Sequence, residues 1–142
     1  MTKVDFYILA TAATDQRAQF ACRLANKAFR QGLNVYLHTG SEDQGREIDS
    51  LLWEFRPQSF LPHGVLGEAA SERVAVGWGD DPGEHHDLMI NLDLSVPAFV
   101  GRFQRVAEIV SKDIPAIRQP LLQSWKWYED RGYELKRTPV ST

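Results

Sequence analysis

Residues 3–10 have the sequence KVDFYILA, and they are followed by a helical pattern and then by LNVYLH at residues 33–38. The first stretch is rich in β-branched and aromatic residues and leads into small residues, which is typical of a buried strand followed by a turn. Between the two stretches, Ala21, Leu24 and Ala28 recur at helical spacing. This order predicts a βαβ unit, whose right-handed crossover makes the two strands parallel.

The rest of the chain repeats strand and helix patterns. Residues 74–78 and 87–93 form short apolar runs that are typical of buried strands. Residues 97–110 fit one helix, but residues 105–110 alone fit a strand equally well, so periodicity leaves both open. The alternation predicts an α/β fold, with residues 1–142 as one domain.

The last predicted helix covers residues 116–131, and Gly132 takes the position just after its end. Pro120 leaves two alternatives, a helix that begins near this proline and a helix that is kinked there. One side of this helix is predicted to face the core and carries Ile117, Leu121, Ser124 and Tyr128.

The composition is that of a globular domain without disulfides. Of the 142 residues, 43% are hydrophobic and 25% charged, which disfavours disorder. Cys22 is the single cysteine, which excludes a disulfide framework and CxxC motifs. No apolar run approaches the roughly 18 residues of a membrane span, and Lys3 and Asp5 interrupt the region where a signal peptide is apolar. We therefore expect a cytoplasmic protein with no membrane partner.

The net charge of −3 is unevenly distributed. Residues 1–110 hold 10 basic and 15 acidic residues, whereas residues 111–142 hold 6 basic and 4 acidic ones. Binding along duplex DNA calls for a broad basic face, which this balance disfavours. It leaves room for a local pocket that takes an acidic peptide or one phosphate.

The sequence shows no assembled catalytic, cofactor or metal site. The turn after the first strand, ATAATDQ at residues 10–16, contains neither glycine nor lysine, so it lacks the residues with which nucleotide-binding loops hold phosphate. His85 and His86 are adjacent on an extended segment and point to opposite faces, which disfavours a metal site. His63 is more typical of a structural histidine than of a base. We predict a protein that is not an enzyme and has no cofactor.

Two aromatic residues occupy positions where folding alone does not need them. In the helix whose apolar face contains Ile48 and Leu52, Trp53 falls about 140° from Ile48, on the polar side. Phe60 lies between two prolines, in a segment that is not regular helix. Large apolar groups that the core does not use are typical partner anchors. Trp53 and Phe60 are therefore predicted to form an interaction surface, the alternative being that a loop buries Trp53.

A second candidate surface lies on the last helix, opposite its predicted core side. Cations next to apolar side chains suit a pocket for an acidic or carboxylate-ended peptide. The alternative is a solvated amphipathic face. The residues that share this face are Arg118, Leu122, Trp125 and Lys126.

With these residues in view, the sequence resembles the chi subunit of the bacterial DNA polymerase III clamp-loader complex. The resemblance covers nearly the whole chain, and its most specific part is LLWEFRPQSFLPHG at residues 51–64. It is also carried by VDFYILA, LMINLDL, FQRVAEIV at residues 103–110 and the ending WKWYEDRGYEL.

The resemblance implies a Rossmann-like, three-layer α/β sandwich with a mostly parallel sheet and no nucleotide-binding loop. It implies a short helix end that runs into a strand over residues 103–110. It also implies a non-catalytic adaptor that links the clamp loader, through the psi subunit, to the acidic C-terminal tail of single-stranded DNA-binding protein. Nucleic acid is then reached only indirectly. Trp53 and Phe60 match the psi-binding positions of the family, a surface that a repair helicase is also expected to use.

By the same resemblance, Arg118, Trp125 and Lys126 match positions that line the tail-binding site. Leu122 stands where the best-known member of the family carries an arginine that helps to hold the tail. Arg131 or Lys126 would supply the missing charge.

Two other classes of protein remain open. One is a small α/β enzyme that uses His63 or the loop that contains His85 and His86. The other is a protein that binds single-stranded nucleic acid directly and stacks bases on aromatic side chains. The aromatic residues available for such stacking are Trp125, Trp127, Tyr128 and Tyr133.

Overall fold

The computed structural model describes residues 2–10, 15–55, 62–68 and 72–140. Over these ranges the chain forms seven strands, three α-helices and one short 3-10 helix. None of the helices described is both long and apolar enough to span a membrane. In chain order the elements are β1 (Lys3–Leu9), α1 (Gln16–Arg30), β2 (Val35–His38), α2 (Glu42–Phe55), β3 (His63–Val65), β4 (Val74–Gly77), β5 (Leu88–Asn91), the 3-10 helix (Val100–Arg102), β6 (Arg105–Ser111), α3 (Pro115–Asp130) and β7 (Glu134–Val140).

The seven described strands form one sheet in the order β3, β4, β2, β5, β6, β1, β7. Every neighbouring pair in this order is parallel. The predicted α/β fold is confirmed, and the sheet is parallel throughout rather than mostly parallel. The central strands are largely apolar because both faces of a parallel sheet are covered, and all four residues of β2 are accordingly buried.

Helices cover both faces of the sheet. On one face, α1 and α2 pack against the strands, and Ile48 of α2 belongs to the buried cluster there. On the other face, α3 contributes Leu121 and Tyr128 to a second buried cluster. The adjacent β6 residues Val106 and Ala107 belong to different clusters, as expected of a strand that is covered on both sides. The three layers are those of the expected Rossmann-like sandwich.

The segment that periodicity left open is divided between two elements. The 3-10 helix ends at Arg102 and β6 begins at Arg105, so a single helix over residues 97–110 is wrong. Of the expected helix end and strand over residues 103–110, the strand is confirmed, whereas the short helix lies just before this range. The helical spacing arose because Phe99, Phe103 and Val106 are buried in the same cluster, although they lie on different elements.

The ends of α3 follow from its prolines and glycine. The helix begins at Pro115, in the first turn, where a missing N–H has no helical partner to lose. A start near Pro120 is therefore wrong, and Pro120 lies inside the helix. Gly132 has φ +77° just after the helix end, as predicted, and its N–H donates to the Glu129 carbonyl at 3.1 Å.

A candidate peptide groove and a second exposed surface

A groove with a volume of about 660 Å³ opens between α3 and the strands at one edge of the sheet. Its residues come from β1, the end of β6, the segment after β6, α3 and β7. The groove forms here because β1 lies between β6 and β7, so that α3 must pass over β1 to connect them. The apolar residues that line it are Phe6, Ile8, Val110, Leu121, Leu122 and Trp125.

Trp125 forms one apolar side of the groove. Its ring packs edge-on against the ring of Phe6, with centroids 5.1 Å apart and an interplanar angle of 66°. Phe6 and Leu121 are buried and provide the floor. Leu122 is 51% exposed, and its side chain therefore offers apolar area that the core does not use.

The groove is positively charged. Lys112, Arg118 and Arg137 line it together with one acid, Asp113, which gives a net formal charge of +2. All four residues are exposed, and within the described ranges none of the three cations forms an ion pair. Exposed cations without an acidic partner, next to apolar surface, suit the carboxylates of an acidic peptide.

Three of the five residues expected to line a tail site come together in this groove. They are Arg118, Leu122 and Trp125. Lys126 and Arg131 are not among the residues that line it.

Lys126 and Arg131 have other contacts. Lys126 Nζ lies 3.5 Å from Asp130 Oδ2, one turn further along α3. The Arg131 guanidinium carbon lies 3.9 Å from the centroid of a Trp127 ring, and Nη1 donates a hydrogen bond to the Trp127 carbonyl at 3.2 Å. Lys126 and Arg131 therefore each interact with a neighbouring residue near the C-terminal end of α3.

Sequence reasoning missed two of the cations, Lys112 and Arg137. Lys112 lies just after β6, and Arg137 lies on β7, which was not predicted. The parallel register places Arg137 opposite Phe6 of β1, more than 130 positions away in sequence. The net positive charge of residues 111–142 was the one available signal, and it does not say which cations meet.

A buried hydrogen-bond network fastens α3 to the sheet. The Tyr128 hydroxyl donates to Glu108 Oε2 at 2.7 Å, and Asn91 Nδ2 donates to the same oxygen at 3.0 Å. Both Glu108 and Tyr128 are 0% exposed. Burial raises the pKa of Glu108 to about 7, although the two hydrogen bonds and the charge of Arg17 act in the opposite direction. The network sets the position of the helix that carries Trp125.

The second candidate surface lies on α2. Trp53 is 60% exposed, so the prediction that it points away from the core is confirmed and the alternative of a buried Trp53 is wrong. Its ring packs edge-on against His63, with centroids 4.6 Å apart. His63 is buried on β3, and its Nε2 lies 3.3 Å from Asp49 Oδ1. These contacts are those of a histidine that supports a neighbouring aromatic ring. Phe60 lies outside the described residues.

A further cavity of about 550 Å³ lies at the carboxyl edge of the sheet, where α/β folds commonly bind ligands. Arg17 of α1 is buried there, and its Nε and Nη1 donate to the carbonyls of Ile109 and Leu92 at 2.7 and 2.8 Å. Burial lowers the pKa of Arg17 to about 10. Two of its nitrogens thus bridge the ends of β5 and β6. The glycine-free turn at residues 11–14 lies outside the described part of the chain.

Cys22 and His85, two residue types that often take part in chemistry, have contacts typical of structural residues. Cys22 is buried, as expected, and burial raises the pKa of its thiol to about 12. His85 Nε2 lies 2.6 Å from the Glu72 carbonyl. In the ranges that the structure describes, no three His, Cys, Asp or Glu residues form a group that could hold a metal ion.

The aromatic residues near the end of α3 are packed against one another. Tyr128 is 0% exposed, so it cannot serve as a platform on which a base stacks. Trp127 packs edge-on against Tyr128 at 5.4 Å and lies 5.9 Å from the Tyr133 ring. Trp125 and Trp127 are half-buried. The prediction that Tyr128 is available for stacking with nucleic-acid bases is therefore wrong.

The parallel sheet, its two helical layers and the cationic groove define an α/β protein of the Rossmann-like class with an open, peptide-sized groove beside its last helix. A family model described as "DNA polymerase III chi subunit, HolC" matches residues 1–136. The chain therefore belongs to the DNA polymerase III chi subunit family, and this membership supports an accessory role in DNA replication.

Individual relatives agree with this assignment. The chain is 49% identical over 136 residues to the DNA polymerase III subunit chi of Pseudomonas aeruginosa, covering 96% of this chain and 95% of the relative. It is 33% identical to the chi subunit of Haemophilus influenzae and 26% identical to that of Escherichia coli, with at least 95% of each chain covered.

The fold also occurs in a protein with a very different sequence. The crystal structure of T4 UvsW superimposes with a TM-score of 0.68 at 11% identity. The match covers 98% of this chain, which spans 41% of the length of the UvsW chain. This likeness is one of fold alone.

Proposed function

We propose that the chain is a non-catalytic adaptor of the DNA polymerase III holoenzyme, which links the psi subunit to the acidic C-terminal tail of single-stranded DNA-binding protein. The observation that carries the proposal is the groove beside α3, where three cations without ion pairs in the described ranges adjoin Leu122 and Trp125. Family membership supports it, because the relatives bear the name of a polymerase subunit.

The tail is held by two kinds of contact. A cation of the groove binds the terminal carboxylate, and Leu122 and Trp125 pack against the apolar terminal side chain. Exposed charges contribute little energy each, so we expect micromolar affinity, about −8 kcal/mol. Several tails on one oligomer would raise the apparent affinity by avidity. Such a link can release and rebind as the replication fork moves.

The psi subunit binds the surface around Trp53. A tryptophan that is 60% exposed on a helix leaves a large apolar area in contact with water, which is unfavourable. Binding of a partner would remove this area from water. Its contact with the buried His63 limits the orientations of the ring, so less entropy is lost on binding. Phe60 stays a predicted second anchor, and a repair helicase stays a predicted competitor for this surface.

The sheet order supports binding of both partners at once. The helix that carries Trp53 contacts β3 at one edge of the sheet, whereas the groove uses β7 at the other edge. With about 4.8 Å between neighbouring strands, these edges are about 29 Å apart. The two surfaces also belong to opposite faces of the sheet. We expect the chain to reach nucleic acid only through its partners.

Calorimetry with a synthetic peptide of the last ten residues of single-stranded DNA-binding protein tests the tail site. We expect micromolar binding to the wild-type chain. A peptide whose terminal carboxylate is amidated should lose most of its affinity, because one charge is removed while the shape hardly changes. Equal affinity of the free and amidated peptides would refute a carboxylate-binding groove.

A further inference from the structure

We propose that the cavity at the carboxyl edge of the sheet binds a small molecule that carries one carboxylate on an apolar body. This cavity shares no lining residue with the groove beside α3. Its volume of about 550 Å³ lies in the usual range of small-molecule sites. The site is therefore independent of the two partner surfaces described above.

Arg17 brings a positive charge into the cavity. Its side chain is buried, and Nε and Nη1 donate to the carbonyls of Ile109 and Leu92. Its Nη2 is also buried, but this nitrogen has no hydrogen-bond partner among the residues that the structure describes. Arg17 forms no ion pair among them either. A buried donor and a buried charge without partners are unfavourable, and an anion bound at Nη2 would relieve both.

Ser111 adds a second polar group to the same cavity. It is the last residue of β6 and is 1% exposed, and its Oγ has no hydrogen-bond partner within the described ranges. It follows Ile109, whose carbonyl binds Arg17, by two positions, so both side chains lie on the same face of the sheet. A guanidinium and a hydroxyl can each donate to one oxygen of a carboxylate.

Three helices begin at this edge of the sheet because each of them follows a parallel strand. The residues that line the cavity include Arg17 in the first turn of α1, Gln44 in that of α2 and Ile117 in that of α3. The positive end of a helix dipole lies at the N-terminus, where it favours negative charge. The backbone thus supports the same sign of ligand as the buried guanidinium does.

The other lining residues favour a carboxylate with an apolar body over a phosphate. Arg17 is the one cation among the described residues that line the cavity, and Asp15 and Glu47 are exposed acids there. One buried cation suits a single negative charge, whereas the two acids disfavour a doubly charged ligand. An apolar body would bury apolar surface against the remaining walls. These walls are formed by Ala18, Ile48, Leu51, Leu92, Ile114 and Ile117.

The test uses the whole chain and hydrocinnamate, a small carboxylate with an aromatic body. Hydrocinnamamide has nearly the same shape without the charge, and inorganic phosphate has the charge without the apolar body. Titrations followed by heteronuclear NMR give the dissociation constants and show which residues respond. We expect hydrocinnamate to bind with a dissociation constant of about 1 mM or below. It should bind about tenfold more tightly than the amide, and phosphate should not bind.

Variants assign the binding to the cavity. Arg17→Gln should bind hydrocinnamate and its amide equally, whereas Arg23→Gln, a matched change of an exposed arginine on α1, should keep the tenfold preference. Because Arg17 bridges two strands, Ser111→Ala serves as a milder second variant and should weaken carboxylate binding about threefold. Leu51→Trp should fill the cavity and prevent binding of both compounds. Circular dichroism checks that each variant is folded.

Several results would overturn the proposal. Equal affinity of the wild-type chain for hydrocinnamate and its amide would show that no cation selects the carboxylate. Unchanged carboxylate affinity in the folded Ser111→Ala and Leu51→Trp variants would place the binding elsewhere, as would NMR shifts confined to the groove beside α3. Binding of phosphate alone would identify the wrong class of anion. If hydrocinnamate does not bind at about 10 mM, the cavity is not a carboxylate site.

Discussion

The ring of Trp125 on α3 packs edge-on against the ring of Phe6 on β1, with centroids 5.1 Å apart. This contact joins the helix side of the groove to its floor. Phe6 in turn packs against Tyr128, whose hydroxyl is bound by the buried Glu108. The tryptophan that lines the groove is thus supported by the core.

The first prediction concerns Trp125→Ala. The variant should bind the tail peptide about 30-fold more weakly, because it loses an apolar side of the groove worth about 2 kcal/mol. It should also lose about 1–3 kcal/mol of stability, since the half-buried ring packs on Phe6. Trp125→Phe should keep part of the peptide affinity and part of the stability. Calorimetry measures the affinity and urea unfolding measures the stability. If a folded Trp125→Ala variant binds the peptide as tightly as wild type, Trp125 is not part of the tail site.

The second prediction compares two cations on α3. Arg118→Glu should weaken tail binding by about tenfold or more, because Arg118 lines the groove and the change creates a repulsion there. Lys126→Glu should change the affinity by less than about threefold, since Lys126 lies beside Asp130 and acts only at a distance. If Lys126→Glu has the larger effect, the tail lies nearer the end of α3 than the groove does.

The third prediction concerns Trp53→Ala. Because the side chain is 60% exposed, its loss should lower the free energy of unfolding by less than about 1 kcal/mol. Binding of the psi subunit should weaken by about 2 kcal/mol, or about 30-fold. Pull-down and calorimetry with purified psi measure the effect. A sharp fall in melting temperature with unchanged psi affinity would instead identify Trp53 as a packing residue.

The fourth prediction concerns the pH dependence of stability. The pKa of Glu108 is raised from 4.5 to about 7 in the folded state, so the folded chain keeps a proton that the unfolded chain releases between these values. The contribution of Glu108 to stability is therefore fully present below about pH 4.5. It is lost as the pH rises to about 7, by about 3 kcal/mol in total.

Glu108→Gln should remove this part of the pH dependence. The glutamine carbonyl can accept from Tyr128 and Asn91, so the network is kept without a titrating group. The free energy of unfolding of the variant, relative to that of wild type, should therefore be higher at pH 8 than at pH 5. Urea unfolding at both pH values measures the difference, and parallel pH profiles of the two proteins would show that Glu108 does not titrate in this range.

Much of the fold could be predicted because its signals are local. The core side of α3 is periodic, and Leu121, Ser124 and Tyr128 are buried as the spacing indicates. The strand β7 was missed because its sequence, ELKRTPV, contains charges and a proline and pairs with β1 at the sheet edge. The strand β3 is only three residues long, too short for a periodic signal.

The candidate site could be predicted only on its helical side. Arg118, Leu122 and Trp125 share a helix, so their spacing places them together. Arg137 reaches the groove through the parallel pairing of β7 with β1, which depends on the order of strands in the sheet. No local pattern contains this information, and the cation on β7 could therefore not be assigned from sequence.

If the chain joins two partners through separate surfaces, both should bind to it at the same time, and one titration shows whether they do. The tail peptide of single-stranded DNA-binding protein is titrated into the isolated chain and into its purified complex with psi, while size-exclusion chromatography monitors the complex. We expect one peptide per chain, dissociation constants that agree within about twofold, and no release of psi. Release of psi by the peptide, or failure of the complex to bind the peptide, would show that the two partners do not use separate surfaces.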